Sequence, residues 1–141
     1  VRRNRVRQAI SYVKARQTQA WTSMERPAED AELYYDYASI EEYVKKFAND
    51  QQKWTTFFEE NNIQNPLTVV YEEFSKNYEV ATFDVLRYLG IEPPEQVDYG
   101  KRKLEKQADQ LSEEWHLRFR LERGEISQER FDELMTKMAS E

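Results

Sequence analysis

The chain has 141 residues, with 27 acidic and 21 basic side chains, a formal net charge of −6, and 39% hydrophobic and 13% aromatic content. That length fits one domain, the aromatics argue against disorder, and the acidic balance argues against general nucleic-acid binding. The absence of cysteine excludes disulfide and thiolate chemistry, the lone histidine (His116) argues against a histidine-based metal site, and no apolar run is long enough to span a bilayer.

Val6, Ile10, Val13, Gln17 and Trp21 fall at helical spacing and predict a first helix from about Val6 to Ala20. Residues 22–37 hold Pro27 and a run of acids and read as an irregular excursion, with a turn or short strand near Leu33 to Tyr37. Ser39 and Glu42 match a capping box. Ile40, Tyr43, Val44, Phe47, Trp54, Phe57 and Phe58 then mark one face of a long helix, which Asn61 and Asn62 end. LTVVYEEF, residues 67–74, is short and β-branched and predicts a buried strand. A lone strand leaves backbone groups unsatisfied, so it must pair with Val1–Arg3, with a missing segment or with another chain.

Asn77 is suited to cap a helix carrying Val80, Phe83, Leu86 and Leu89, which Gly90 stops and Pro93-Pro94 keeps stopped. Leu104, Ala108, Leu111, Trp115 and Phe119 define a further helix, broken at Gly124. Ser127 caps a last short helix with Phe131, Leu134, Met135 and Met138 on one face. No internal repeat and no low-complexity tract interrupts this order.

The chemistry concentrates at the start. Arginines stand at positions 2, 3, 5 and 7, and no acid appears before Glu25. A helix start that follows a strand end favours an anion through its N–H groups and its dipole. Arginine adds a bidentate fork, and the Ser11 hydroxyl a further donor. A phosphate fits; so does a plain set of surface arginines solvating a helix start.

Arg3-Asn4 followed by Ser11 resembles the 3′-phosphate-binding segment of sulfotransferases that use 3′-phosphoadenosine 5′-phosphosulfate (PAPS). The run RRNRVRQAISYVKARQTQAW is similar, more specifically, to the Stf-zero family, whose best-known members sulfate trehalose; it keeps Gln8-Ala9, Ser11, Ala15, Gln17-Thr18 and Trp21. LTVVYEEFSKNYEVATFDVLRYLGIEPP resembles that family's Tyr-Glu segment and the helix ending Leu-Gly, and KLEKQADQLSEEWHLRF its closing helix. The three matches come in the family's order and cover about residues 1–120, with residues 121–141 left as a short C-terminal helical tail.

The resemblance implies an α/β, P-loop NTPase-like parent fold, of which this chain is a mostly helical C-terminal portion with one or two strands. It implies PAPS or adenosine 3′,5′-bisphosphate as co-substrate with no metal, and a carbohydrate acceptor such as a trehalose-like glycan. Arg3 and Ser11 would hold the 3′-phosphate, Tyr71 would lie near the adenine, and Lys106-Gln107 would complete the phosphate site, although the usual Arg-Lys-Gly motif is absent there. The family's phosphate-binding loop and catalytic base belong to an N-terminal half. Here the glycines stand only at 90, 100 and 124 and no such loop is present. The chain therefore reads as a fragment, inactive alone, of a cytoplasmic enzyme that forms a homo-oligomer if its strand edge self-pairs.

Other readings stand beside this one. Tyr71 is equally suited to be a core residue of a strand, and Glu72 to cap local backbone. Trp21 reads as a core anchor or an acceptor-site wall, Trp54 and Trp115 as core, and His116 as a surface residue. The acids from Glu25 to Asp36 read as a solvated loop, with acceptor binding the lesser use. A non-catalytic helical interaction or oligomerisation module is the alternative function. DNA binding through Arg2, Arg3, Arg5 and Arg7 is weaker, because the rest of the chain is acidic.

Overall fold

A computed structural model of the chain describes residues 1–22, 24–95 and 109–140. Six helices follow one another: α1 (Arg5–Thr18), α2 (Tyr37–Glu60), α3 (Tyr71–Phe74), α4 (Tyr78–Tyr88), α5 (Gln110–Glu122) and α6 (Gln128–Ala139). The described residues divide into two compact units. The first holds residues 1–5 and 46–95, and the second residues 6–45 and 109–140.

The helix boundaries follow local chemistry. Asn77, Asp109 and Ser127 each accept, through the side chain, the backbone N–H three residues on, and so cap α4, α5 and α6. At α2 the cap is Asp36 and not Ser39. Its carboxylate takes the Ser39 N–H at 3.0 Å and the Ser39 hydroxyl at 2.7 Å, so the helix starts a turn earlier than the capping-box pattern predicts.

Three helices end alike. After α2, Asn62 N–H donates to Glu59 O and Ile63 N–H to Phe58 O; after α4, Gly90 donates to Arg87 O and Ile91 to Leu86 O; after α5, Gly124 donates to Leu121 O and Glu125 to Arg120 O. This is the Schellman closure, which requires a left-handed residue. Asn62 (φ 53°), Gly90 (φ 71°) and Gly124 (φ 72°) supply it. α1 stops two residues short of the predicted end, at Thr18, because Gln19 already has φ 57°.

The predicted strand at 67–74 does not form. Residues 67–70 are irregular and Tyr71–Phe74 is a single helical turn; among the described residues there is no strand. One rung of a parallel pairing is nevertheless present. The Val1 amino group donates to Val69 O at 2.7 Å, and Tyr71 N–H donates to Val1 O at 2.8 Å. Val1–Arg3 is thus the pairing partner that the segment finds, but one rung is too short to make a ladder, and Glu72 and Glu73 turn the chain into α3.

The core lies in the second unit. Ala9, Ile10, Val13, Ile40, Tyr43, Trp115 and Phe119 are buried, and Tyr37 stacks on Phe119 with ring centres 5.0 Å apart. Polar bonds join α1 to α5: Arg7 forks onto the Glu113 carboxylate, and the Lys14 ammonium reaches both Asp109 oxygens at 2.7 and 2.8 Å and the Ser112 hydroxyl at 3.0 Å. α6 packs on α5 and turns Phe131, Leu134, Met135 and Met138 to its less exposed side.

The first unit buries none of its described residues. Trp54, read as core from its spacing, is 61% exposed, and Val80 and Leu89 are more than half exposed as well. Helical spacing identifies an apolar face, but it does not say whether anything covers that face. Trp21 also lies outside the core, 48% exposed, with its edge against Tyr12. His116, predicted at the surface, is half-buried; burial, then Arg7 and Arg120, push its pKa down to about 4.

Two outcomes are expected. Phe119→Ala costs about 3–5 kcal/mol in urea unfolding, whereas Trp54→Ala costs under about 1 kcal/mol, because only the first leaves a cavity. The lowered pKa of His116 has a defined sign: the unfolded chain takes up a proton near pH 6.5 that the native imidazole refuses until about 4. Stability therefore falls as pH drops through that window, by about 1 kcal/mol from this group after allowing for solvent screening. His116→Gln should flatten the fall between pH 6.5 and 4, read from urea midpoints at each pH.

Candidate functional site

The acid-free opening of the sequence meets acids brought from far along the chain. In the first unit the Glu72 carboxylate accepts the backbone N–H of Arg3 at 3.1 Å and of Asn4 at 3.3 Å. It thereby occupies the anion position just ahead of α1, where the helix dipole favours negative charge. Desolvation opposes its ionisation, but the N–H groups of Arg3, Glu72 and Asn4 and the Arg2 charge outweigh that and hold its carboxyl below the usual range.

Each opening arginine is engaged. The Arg2 guanidinium lies 3.8 Å from the centre of the Tyr71 ring. Arg3 donates to the Glu73 carboxylate, with both side chains largely exposed. Arg5 donates to the Gln51 side-chain oxygen at 2.8 Å. Arg7 is tied to Glu113 in the second unit, where burial first and Arg120 second lower its pKa. Arg3 and Arg7 thus meet carboxylates, whereas Arg2 and Arg5 rest on a neutral ring and a neutral amide.

Of the predicted site residues, Arg3 and Tyr71 lie in the first unit, on the two segments Val1–Asn4 and Tyr71–Glu73 that meet there; it is Arg2 that lies over the Tyr71 ring, while Arg3 reaches Glu73. Ser11 is exposed on α1 and belongs to the second unit. Lys106 and Gln107 fall outside the described residues. Spacing alone did not point to Glu73 as the carboxylate that holds Arg3; the only signal was its place next to Tyr71-Glu72.

The donor set around Arg3 suits a phosphate: a fork-shaped cation, two backbone N–H groups and a neighbouring aromatic ring. Two carboxylates already satisfy it, so a bound phosphate must displace Glu73 from the Arg3 guanidinium and Glu72 from the two N–H groups. Among the described residues no group of histidine, cysteine or acidic side chains is arranged to hold a metal ion, and no helix is long and apolar enough to cross a membrane.

The second unit holds an open cleft of about 340 Å³, lined by Val13, Arg16, Gln17, Glu32, Tyr34, Ser39 and Tyr43. α1, the loop before α2 and the first turns of α2 form its walls. The first unit has a smaller, more apolar groove of about 230 Å³ between residues 67–74 and α4.

Glu72→Gln should lower stability by about 1 kcal/mol, since it removes a charged acceptor from two N–H groups. The effect should vanish on acidification. A depressed carboxylate contributes stability that is present above its unfolded pKa and lost as pH falls through the folded one. Thermal midpoints of the two proteins at neutral and acid pH test this.

The Stf0 sulphotransferase family model matches residues 1–122. Over 118 residues the chain is 33% identical to a trehalose 2-sulfotransferase of Mycolicibacterium smegmatis, covering 82% of this chain and 42% of that protein. Over 117 residues it is 30% identical to a trehalose 2-sulfotransferase of Mycobacterium tuberculosis, covering 83% of this chain and 42% of that protein. The chain thus spans well under half the length of these curated relatives. No solved structure matches. The three ordered motifs, a family-model match that runs from the first residue to the end of α5, and 30–33% identity to two relatives over more than four-fifths of the chain make this chain a member of the Stf0 sulphotransferase family.

Proposed function

We propose that the chain supplies the donor-nucleotide side of a PAPS-dependent sulfotransferase whose acceptor is a carbohydrate hydroxyl. The observation that carries the reading is that the arginine segment Val1–Asn4 meets the Tyr71–Glu73 turn in one compact unit, with Arg2 over the Tyr71 ring and Arg3 and the N–H groups ahead of α1 on the neighbouring carboxylates. In this reading Arg3 forks onto the 3′-phosphate, Ser11 adds a hydroxyl donor, and Tyr71 lies near the adenine. Lys106-Gln107 completes the phosphate site. The acceptor oxygen attacks sulfur in line, the bond from sulfur to the 5′-phosphate oxygen breaks, and the hydroxyl proton passes to a base. The P-loop-like parent fold, the base and the 5′-phosphosulfate clamp are expected in the part of the relatives this chain does not span. The chain alone is expected to bind nucleotide without turning over, and a cytoplasmic setting fits such a donor.

The names of the relatives, both trehalose 2-sulfotransferases, support a glycan acceptor. The helical interaction module remains the second reading because of one observation, the apolar side chains left exposed on the first unit. Self-association seen by light scattering would favour it.

Calorimetric titration with adenosine 3′,5′-bisphosphate tests the donor site. Arg3→Ala should weaken binding roughly 10- to 150-fold, the equivalent of about 1.5–3 kcal/mol for one charge-assisted contact. Ser11→Ala should weaken it less. Glu73→Gln should tighten it, because the competing carboxylate is gone. Binding that ignores all three substitutions, or no binding by the folded chain, overturns the assignment.

A further inference from the structure

In the first unit the chain supplies its own anions to the groups that would hold a phosphate. The Glu72 carboxylate accepts the N–H groups of Arg3 and Asn4 at 3.1 and 3.3 Å. The Glu73 carboxylate accepts from the Arg3 guanidinium. Two N–H groups and a fork-shaped cation are therefore all filled, by partners 68 to 70 residues away in sequence. A carboxylate is a singly charged counterpart of a phosphate, with the same preference for N–H groups and for the arginine fork.

The way the contact is held shows how it can open. The backbone rung is independent of the two acids: Val1 O accepts Tyr71 N–H at 2.8 Å. Glu72 and Glu73 both lie in α3, which is a single helical turn, so a small movement of that turn shifts both carboxylates together. The side chains of Arg3 and Glu73 are largely exposed, and no described residue of the first unit is buried. Parting the acids from their donors thus breaks into no packed core. The rung keeps the two segments in register while the acids leave.

A ligand that must first displace an internal partner binds more weakly, in proportion to the fraction of chains in which that partner is already away. The acids also set a charge requirement. A phosphate is close to doubly charged at neutral pH and has three free oxygens, so one group can replace both carboxylates at once. A neutral hydroxyl in the same place would leave the fork without a counter-charge and cannot compete.

We propose that Glu72 and Glu73 form an autoinhibitory clasp. It fills the donor site of the ligand-free chain, and it opens, with the Val1 rung kept, when a nucleotide 3′-phosphate takes over Arg3 and the two N–H groups. The proposal rests on the donor-site reading above and adds the regulation of that site.

The test is the kinetics of adenosine 3′,5′-bisphosphate binding to this chain and to its Glu72→Gln, Glu73→Gln and doubly substituted forms, each checked for folding by circular dichroism. The double variant should associate about tenfold faster, with a dissociation rate within about twofold of the parent. Glu73→Gln alone, at an exposed position that leaves the fold intact, should gain about two- to fivefold. Glu79→Gln removes an exposed acid from the first turn of α4, away from the clasp, and should change neither rate. In the saturated complex the Tyr71 amide should keep its slow hydrogen exchange, because the rung remains. Equal acceleration by Glu79→Gln overturns the clasp, since the effect is then general charge. Loss of protection at the Tyr71 amide also overturns it, since the whole contact then dissolves. Arg3-dependent binding that ignores both acid substitutions overturns the clasp and leaves the donor site standing, whereas no nucleotide binding by any of the folded proteins overturns both.

Discussion

The first fourteen residues carry four arginines and a lysine, and the acids that pair with Arg3, Arg7 and Lys14 come from distant segments. Glu72 and Glu73 meet the backbone and side chain of Arg3, Glu113 meets Arg7, and Asp109 meets Lys14. The separations run from 69 to 106 residues. None of these bonds forms until the chain has closed a long loop, and each exposed pair adds little by itself. Their effect is on register. Asp109 caps α5 with the same carboxylate that takes Lys14, so the start of one helix is fixed by its grip on another. Glu72 does the same for the segment entering α1.

The two units differ in how they are held. The second has a closed core, with Trp115 and Phe119 of α5 among Ile10, Val13 and Ile40. The first is held mainly by backbone closures, caps and the Val1 rung, and its apolar side chains stay open to solvent. Burial of apolar area is the main favourable term in folding, so the first unit has the smaller share of stability. The arginine segment lies on this less consolidated part, and the cleft lined by Arg16, Gln17 and Tyr34 on the firmer one.

Much of the local structure was legible in the sequence. Asn77 and Ser127 as caps, and Asn62, Gly90 and Gly124 as stops, depend on the chemistry of one or two residues, and such signals survive whatever packs around them. LTVVYEEF misled because β-branched composition reports fitness for a paired, half-buried surface, and pairing depends on a partner that the segment itself does not encode. Trp54 and His116 misled in opposite directions for a related reason: periodicity marks a face, while its covering is a long-range fact. At the site, Arg3 and Tyr71 could be named from motif resemblance. The carboxylates that hold Arg3, and the cleft built from α1 and the loop before α2, could not, since each is made of residues with no shared local pattern.

The hold of Gln17 on one wall of the second unit's cleft separates two things that loops usually confound. Gln17 grips the backbone N–H and C=O of residue 34 through both its amide atoms, and neither bond uses the Tyr34 side chain. The path of the loop is therefore written in Gln17, and the chemistry it displays is written in residue 34. Exchange of that side chain can change the surface the cleft presents while the loop keeps its path, so shape and surface chemistry are set by different residues.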